Sequence, residues 1–448
     1  MNNNYLDDVN EQKLLTNIEK LIQQDSSSES FIFSQSQTYE HFFLPVSDHL
    51  KSCQHTWACP ELSDSQWIEM GVCRSLMDVT TGRGFLQQYN PLFQNPITYT
   101  HFFKSLKSSR RLRLCDEFNQ RLCQQIQRVL PDPLAPFKEL NQFDIYAGDG
   151  HWHGAAAHDK LKDGRKWAVG HFYTLNLRNH AINHLEMADE VERKHEHDMR
   201  ALKRKSIRAL RQGAAKGRKV IYAWDSACLD YEQWDYWKQT GGIYFVTRFK
   251  DNLLYDYLDD LPVDPLDGVN HGVLSDQLIM PTGGKKMRRI ECVDPATGKV
   301  HVFLTNEMSL SAGLLAQIYR LRWDVEKVFD EFKNNFQEKK AWASSDIAKT
   351  MQAHFLCMTH NLLQLMNYKM QVSFDVYNVA ESKRKENRLE KLNETAGKAG
   401  RKVSDMYQIV KRFSKISLKF IRCLRTYFCI NTPLSKTAAY LRRLYAEL

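Results

Sequence analysis

Between Tyr146 and Asp159 the chain reads YAGDGHWHGAAAHD, which places three histidines and two aspartates within a few residues of one another. His151 and His153 stand at i, i+2, a spacing at which a strand turns two imidazoles to one face. With His158 as a third ligand they could hold zinc. No H-E-x-x-H or comparable ligand pattern accompanies them. Asp149 offers different chemistry. It follows the apolar run of FDIYAGDG and precedes Gly150, and a carboxylate there suits a hard cation such as Mg²⁺. Asp144, which opens the run, and Asp159, in an expected loop, compete for that role. Further along, VIYAWD ends on a second acid, Asp225. Asp230 and Asp235 fall in the helix expected next, where a solvated role is the ordinary one.

A third acid comes from YRLRWDVEKVFDEFK. Tyr319, Arg322, Glu326 and Lys333 have offsets that place them within about 60° of one another on a helix. Ile318, Leu321, Val325, Phe329, Phe332 and Phe336 form the adjoining apolar stripe. By itself this is an ordinary pattern, because charged residues border many apolar stripes and i, i+4 ion pairs stabilise many helices.

The spacing is nevertheless specific. Tyr, two residues, Arg, three, Glu, six, Lys resembles the YREK signature of insertion-sequence family four, a group of bacterial DDE transposases. Trp323 fits the Arg-Trp pair usual in that signature. IYAGDGHW resembles the family's first-aspartate region. VIYAWD followed by GGIYFVTRFKDN resembles the second, with Arg248 and Lys250 in its Arg-x-Lys. The resemblance covers about residues 140–340. It implies an α/β fold of the RNase H-like kind, a mixed five-stranded sheet with flanking helices, interrupted by a β-rich insertion between the second aspartate and the glutamate. Asp149 is then expected on the first strand, Asp225 at the end of the fourth and Glu326 on a helix packed on the sheet. Together they would be the catalytic, metal-binding triad for two Mg²⁺ (or Mn²⁺) ions.

The implied activity is DNA transposition, in which the ends of an insertion sequence are cut and joined to target DNA, both duplex. Tyr319, Arg322 and Lys333 inherit the DNA-end contacts. Guanidinium, ammonium and phenol groups suit phosphate oxygens. Some members excise through a DNA hairpin and flip a base onto tryptophan, a step Trp323 could assist. Residues 251–304, however, contain no tryptophan, a departure from those members. Pairing of two transposon ends implies a homodimer. Two alternatives stay open: a catalytically inactive, transposase-derived DNA-binding protein, and a zinc hydrolase built on His151, His153 and His158.

The elements expected to carry these residues follow from periodicity. From about residue 140 the order reads strand, strand, strand, helix, strand, helix, strand, an α/β domain with a mixed sheet. The segment 251–304 is loop-rich and closes with a hairpin around Asp294-Pro295-Ala296-Thr297-Gly298. Residues 1–137 read as a helical DNA-end-binding region, 138–345 as the catalytic domain and 346–448 as a helical region suited to dimerisation. In the first region Lys104, Lys107, Arg110, Arg111 and Arg113 cluster. Such a run is commonly a solvated helix face, and alternatively a phosphate-contacting surface.

Composition sets the outer bounds. With 448 residues, 43% hydrophobic and 26% charged, the chain can bury a real core. The net charge of +9, from 62 lysines and arginines against 53 acids, suits a polyanionic partner without demanding one. No apolar run approaches the length of a membrane span. The polar opening MNNNYLDDVNEQKLL lacks a signal-peptide pattern, so a cytoplasmic, bacterial location and no membrane partner are expected. The ten cysteines include no C-x-x-C pair and read as reduced thiols.

Overall fold

The computed structural model describes residues 36–77, 81–92, 96–161, 164–189, 198–336 and 338–446. The acidic opening segment, and the 190–197 part of the charged helix expected before residue 217, lie outside the described residues. Among the described residues five α-helices come first: α1 (Gln37–Leu50), α2 (Asp64–Leu76), α3 (Gly82–Tyr89), α4 (Tyr99–Leu106) and α5 (Ser109–Val129). All five begin after a serine or threonine whose hydroxyl accepts a backbone N–H of the first turn. These caps satisfy donors that the helix itself leaves unpaired.

The sheet region then runs β1 (Phe143–His153), β2 (Val169–Asn176), β3 (Ile182–Met187), the short helices α6 (Asp198–Lys203) and α7 (Ile207–Leu210), β4 (Lys219–Ala223), α8 (Tyr231–Gly241) and β5 (Ile243–Arg248). β6 (Tyr255–Asp260), β7 (Val273–Pro281), β8 (Met287–Val293) and β9 (Val300–Thr305) follow. The chain ends in helices: α9 (Ala312–Leu321), α10 (Asp324–Asn334), α11 (Asp346–Phe374), α12 (Val379–Lys398), α13 (Asp405–Ile409), α14 (Leu418–Phe428) and α15 (Leu434–Ala446).

The strands form one sheet of nine, ordered β3-β2-β1-β4-β5-β9-β8-β7-β6. This corrects the expected five-stranded sheet. The first five strands are present, with β1 antiparallel to β2 and parallel to β4, an arrangement that fits an RNase H-like domain. The 251–304 segment does not stand apart. Its last strand, β9, pairs antiparallel with β5 and carries β8, β7 and β6 outward as a continuation of the sheet. The β5 edge offers unpaired backbone groups, and the segment between the second and third acids satisfies them. The hairpin at Asp294–Gly298 forms as expected, with Gly298 in the left-handed region at φ 74°.

Two apolar layers enclose the sheet. One contains Tyr146, Phe172, Tyr222, Trp224 and Phe245, covered by Trp234 and Trp237 of α8. The other contains Phe143, Ile145, Ala147, Ile221 and Ala223. It is continuous with the apolar faces of α9, α10 and α11, and with helices from both ends of the chain, from Phe42 to Leu441. Alternation along β1 and β4 assigns Asp149 and Asp225 to this second face, the face that α10 covers.

Candidate active site

The two aspartates are placed by strand register. In the parallel β1–β4 ladder the last matched pair is Ala147 opposite Ala223. Asp149 and Asp225 each stand two residues past that pair, just beyond the end of the shared ladder. β1 itself continues to His153, paired with β2, so Asp149 lies within its strand and not at the end. What ends at Ala147 is the ladder with β4, and that opens the crevice beside Asp149. Gly148 is required by close approach: a Cβ there would fall 1.7 Å from the Trp224 ring. Asp225 sits in a turn just past β4, its Oδ1 accepting the Ala227 N–H at 2.7 Å. The rivals are engaged elsewhere. Asp144 accepts from Arg218 at 2.7 Å, Asp159 pairs with Lys349 at 3.3 Å, and Asp230 caps α8 through the Gln233 N–H.

The third acid arrives on a broken helix. The single helix expected through Tyr319–Lys333 is interrupted at Arg322-Trp323, between α9 and α10. Arg322 N–H bonds the Tyr319 carbonyl and Val325 N–H bonds the Arg322 carbonyl, both i→i−3. This tighter turn replaces the i→i−4 ladder, so one face of one helix does not describe the motif. It buries Arg322 and turns Trp323 outward, 53% exposed.

The Arg322 guanidinium lies between two of the acids. Its Nη1 donates to Asp149 Oδ2 at 2.7 Å and stands 3.7 Å from Glu326 Oε1. Asp225 also acts electrostatically on Arg322 and on Tyr319. Burial, with the Glu326 charge beside it, pushes the Asp149 carboxyl up to about 7, even though Arg322 pulls the other way. Tyr319 is buried against the Phe303 ring at 5.2 Å, and burial raises its phenol. Arg248 projects from the same sheet face, exposed, with Nη2 on His301 Nδ1 at 3.1 Å. Lys333 and Trp323 are exposed, and Lys250 is half-buried.

The histidines that suggested zinc have another structural task. His151 Nε2 donates to Glu338 Oε2 at 2.6 Å, and its ring stacks on the Phe329 ring at 4.7 Å. Both partners belong to α10 or the segment just after it. His153 Nε2 is 3.8 Å from the other Glu338 oxygen. His158 lies exposed on a turn. The His151–Glu338 contact, with the Gly154–Lys340 bridge, fixes α10 against β1 and thereby aims Glu326 at Asp149. Glu338 was not singled out in the sequence, because a contact across nearly two hundred residues leaves no local pattern.

Of the basic cluster near the N-terminus, Lys104, Lys107 and Arg113 are exposed. Arg110 makes a bidentate pair with Asp64 at 2.7 and 2.9 Å. Arg111 is buried, with Nη2 on the Leu62 carbonyl and its guanidinium over Trp67. The structure therefore spends both arginines inside the helical region.

Among the described residues no three His, Cys, Asp or Glu side chains are arranged to hold a metal ion as they stand. The donor set still fits a hard cation. Asp149 and Glu326 are carboxylates with too little countercharge to keep Asp149 in its usual range, and the charge between them comes from a side chain that can rotate. Among the described residues no helix is long and apolar enough to cross a membrane.

A family model described as "Transposase DDE domain" matches residues 127–362, more than half of the 448-residue chain. The match spans Asp149, Asp225 and Glu326. No curated protein matches the chain.

Proposed function

The chain belongs to the family of transposases with a DDE domain, and on that premise we propose that it cuts the ends of an insertion sequence and joins them to target DNA by cut-and-paste. Asp149, Asp225 and Glu326 are the residues we assign to hold two Mg²⁺ or Mn²⁺ ions. The observation carrying this reading is the Asp149–Arg322–Glu326 contact, with Asp149 and Asp225 each just beyond the end of the shared ladder. Divalent cations held by such carboxylates activate an attacking oxygen and stabilise a leaving one.

The chain's own residues prepare the site. Arg322 holds the Asp149 carboxylate partly in its charged form, and the same guanidinium would be available to the backbone of bound DNA. Its planar fork suits phosphate oxygens. Tyr319 offers a hydroxyl, and Lys333, Arg248, Lys250 and Trp323 border the approach. The RNase H-like catalytic domain, the signature of insertion-sequence family four, the homodimer on paired ends and the cytoplasmic setting belong to the same reading. So do the functional divisions at residues 137 and 345, with Lys104, Lys107 and Arg113 as cations of the end-binding region.

The test uses the purified protein with duplex DNA carrying the sequences that flank its coding region, in Mg²⁺. The expected outcome is strand cleavage at the element's boundary, followed by joining of the freed 3′-OH to a second duplex. Stable, specific binding of those ends without any cleavage would favour the inactive DNA-binding reading instead.

A further inference from the structure

A groove of about 830 Å³ opens beside Glu326 and Trp323, between α10 and the C-terminal helix α12, with residues 407–415 as its floor. Eight lysines and arginines line it against four acids. Part of that charge is spent inside the protein: Lys385 donates to the Arg412 carbonyl at 2.7 Å and Lys327 pairs with Asp324 at 3.0 Å. Arg388 and Lys391 are different. They are exposed, and among the described residues neither side chain has a hydrogen-bond or ion-pair partner. Both sit on the face of α12 that lines the groove, one turn apart. At the mouth, Trp323 presents an indole that is 53% exposed, with the Arg322 guanidinium 5.1 Å from its centre. Leu389 and Leu392 give the wall an apolar strip between the cations.

We propose that this groove binds a single strand of DNA leading from the catalytic acids, with Arg388 and Lys391 on its phosphates and Trp323 stacked on a base. The inference rests on the transposase reading above and adds the path of one strand. Cations that follow a backbone and an aromatic face that accepts any base are the physical signature of single-strand binding. The position fits the chemistry too. Cleavage by the assigned acids separates a strand end beside Glu326, and Glu326 itself lines this groove.

The test is equilibrium binding of a fluorescent single-stranded oligothymidylate to the full chain, across a salt series. Arg388→Glu with Lys391→Glu should weaken binding at least tenfold. The log–log salt slope should flatten by about 1.4, two phosphate contacts at about 0.7 each. Trp323→Ala should weaken it roughly five- to a hundredfold, with most of the loss recovered in Trp323→Phe.

Single-strand affinity within twofold of the original in the double variant, with the slope unchanged, overturns the proposal. So does a duplex of equal length competing better than the single strand. Arg388 and Lys391 are exposed, and thermal melting of the double variant verifies its fold. The two readings fail separately. A protein that cuts DNA ends but whose oligonucleotide binding ignores these residues refutes the groove alone. A protein that cuts nothing refutes the activity, while the binding series still reports on the groove.

Discussion

Asp149 titrates near neutrality because burial and the Glu326 charge outweigh the help of Arg322. Its folded pKa lies above the ordinary carboxylate value, so the folded, metal-free protein carries a proton there below about pH 7. A cation must displace that proton. Mn²⁺ affinity should therefore rise about tenfold per pH unit below 7 and level off above it, as read by calorimetry. Asp149→Asn should abolish the slope. Removing the nearby guanidinium in Arg322→Ala should move the midpoint upward by about one unit or more. A midpoint that stays put or falls in that variant would contradict the placement of Arg322 between the acids. At this scale the candidate acids Asp149, Asp225 and Glu326 could be named because acids that follow apolar runs, and a fixed Tyr-Arg-Glu-Lys spacing, are local patterns. The Arg322–Asp149 pair was not legible, since it joins residues 173 positions apart in the chain. Arg322 was assigned to DNA, whereas here its guanidinium faces the acids.

The helix that delivers Glu326 is held by its own buried acids. Asp324 accepts the Arg412 Nε–H at 3.0 Å, the Phe413 N–H at 3.1 Å and the Lys327 ammonium at 3.0 Å. Two turns on, Glu331 accepts the Ile416 N–H at 2.5 Å and pairs with His360 at 2.7 Å. Residues 412–416 thus run as a strap along α10, on the side away from β1, where His151 and Glu338 hold it. Asp324→Ala would leave two cations and a buried N–H without their acceptor. A loss of about 3–5 kcal/mol in denaturant unfolding is expected. Asp324→Asn, which keeps one carbonyl acceptor, should lose less. A cost below about 1 kcal/mol for the alanine variant would remove the strap from the account. The break at Arg322-Trp323 belongs to this scale as well. Helical periodicity describes the residues on each side of it, but nothing local announces the i→i−3 turn, which the tertiary pull on Asp324 accompanies.

At the scale of the molecule, one sheet of nine strands joins the two aspartates to the segment that precedes the glutamate. The succession of strands and helices along the chain through β5 could be anticipated from apolar runs and turns. The continuation through β9 could not, because pairing between β5 and β9 is set by an edge that has to be covered and not by either strand's own pattern. The continuity predicts shared protection. In native-state hydrogen exchange, the amides of β8 and β9 should open with those of β4 and β5 as one cooperative unit. Exchange in β8 and β9 more than about a hundredfold faster than in β4 and β5 would show an insertion that folds by itself. The central claim of the proposed function is that Asp149, Asp225 and Glu326 act together as its metal-holding carboxylates. The most direct measurement of that claim is single-turnover strand cleavage, in Mg²⁺, of DNA bearing the element's ends. It compares the unaltered protein with Asp149→Ala, Asp225→Ala and Glu326→Ala. The account predicts that each substitution lowers the rate by roughly a thousandfold or more, the kinetic equivalent of losing several kcal/mol of metal-assisted stabilisation, with end binding retained. Cleavage at the original rate by any one of the three would contradict it.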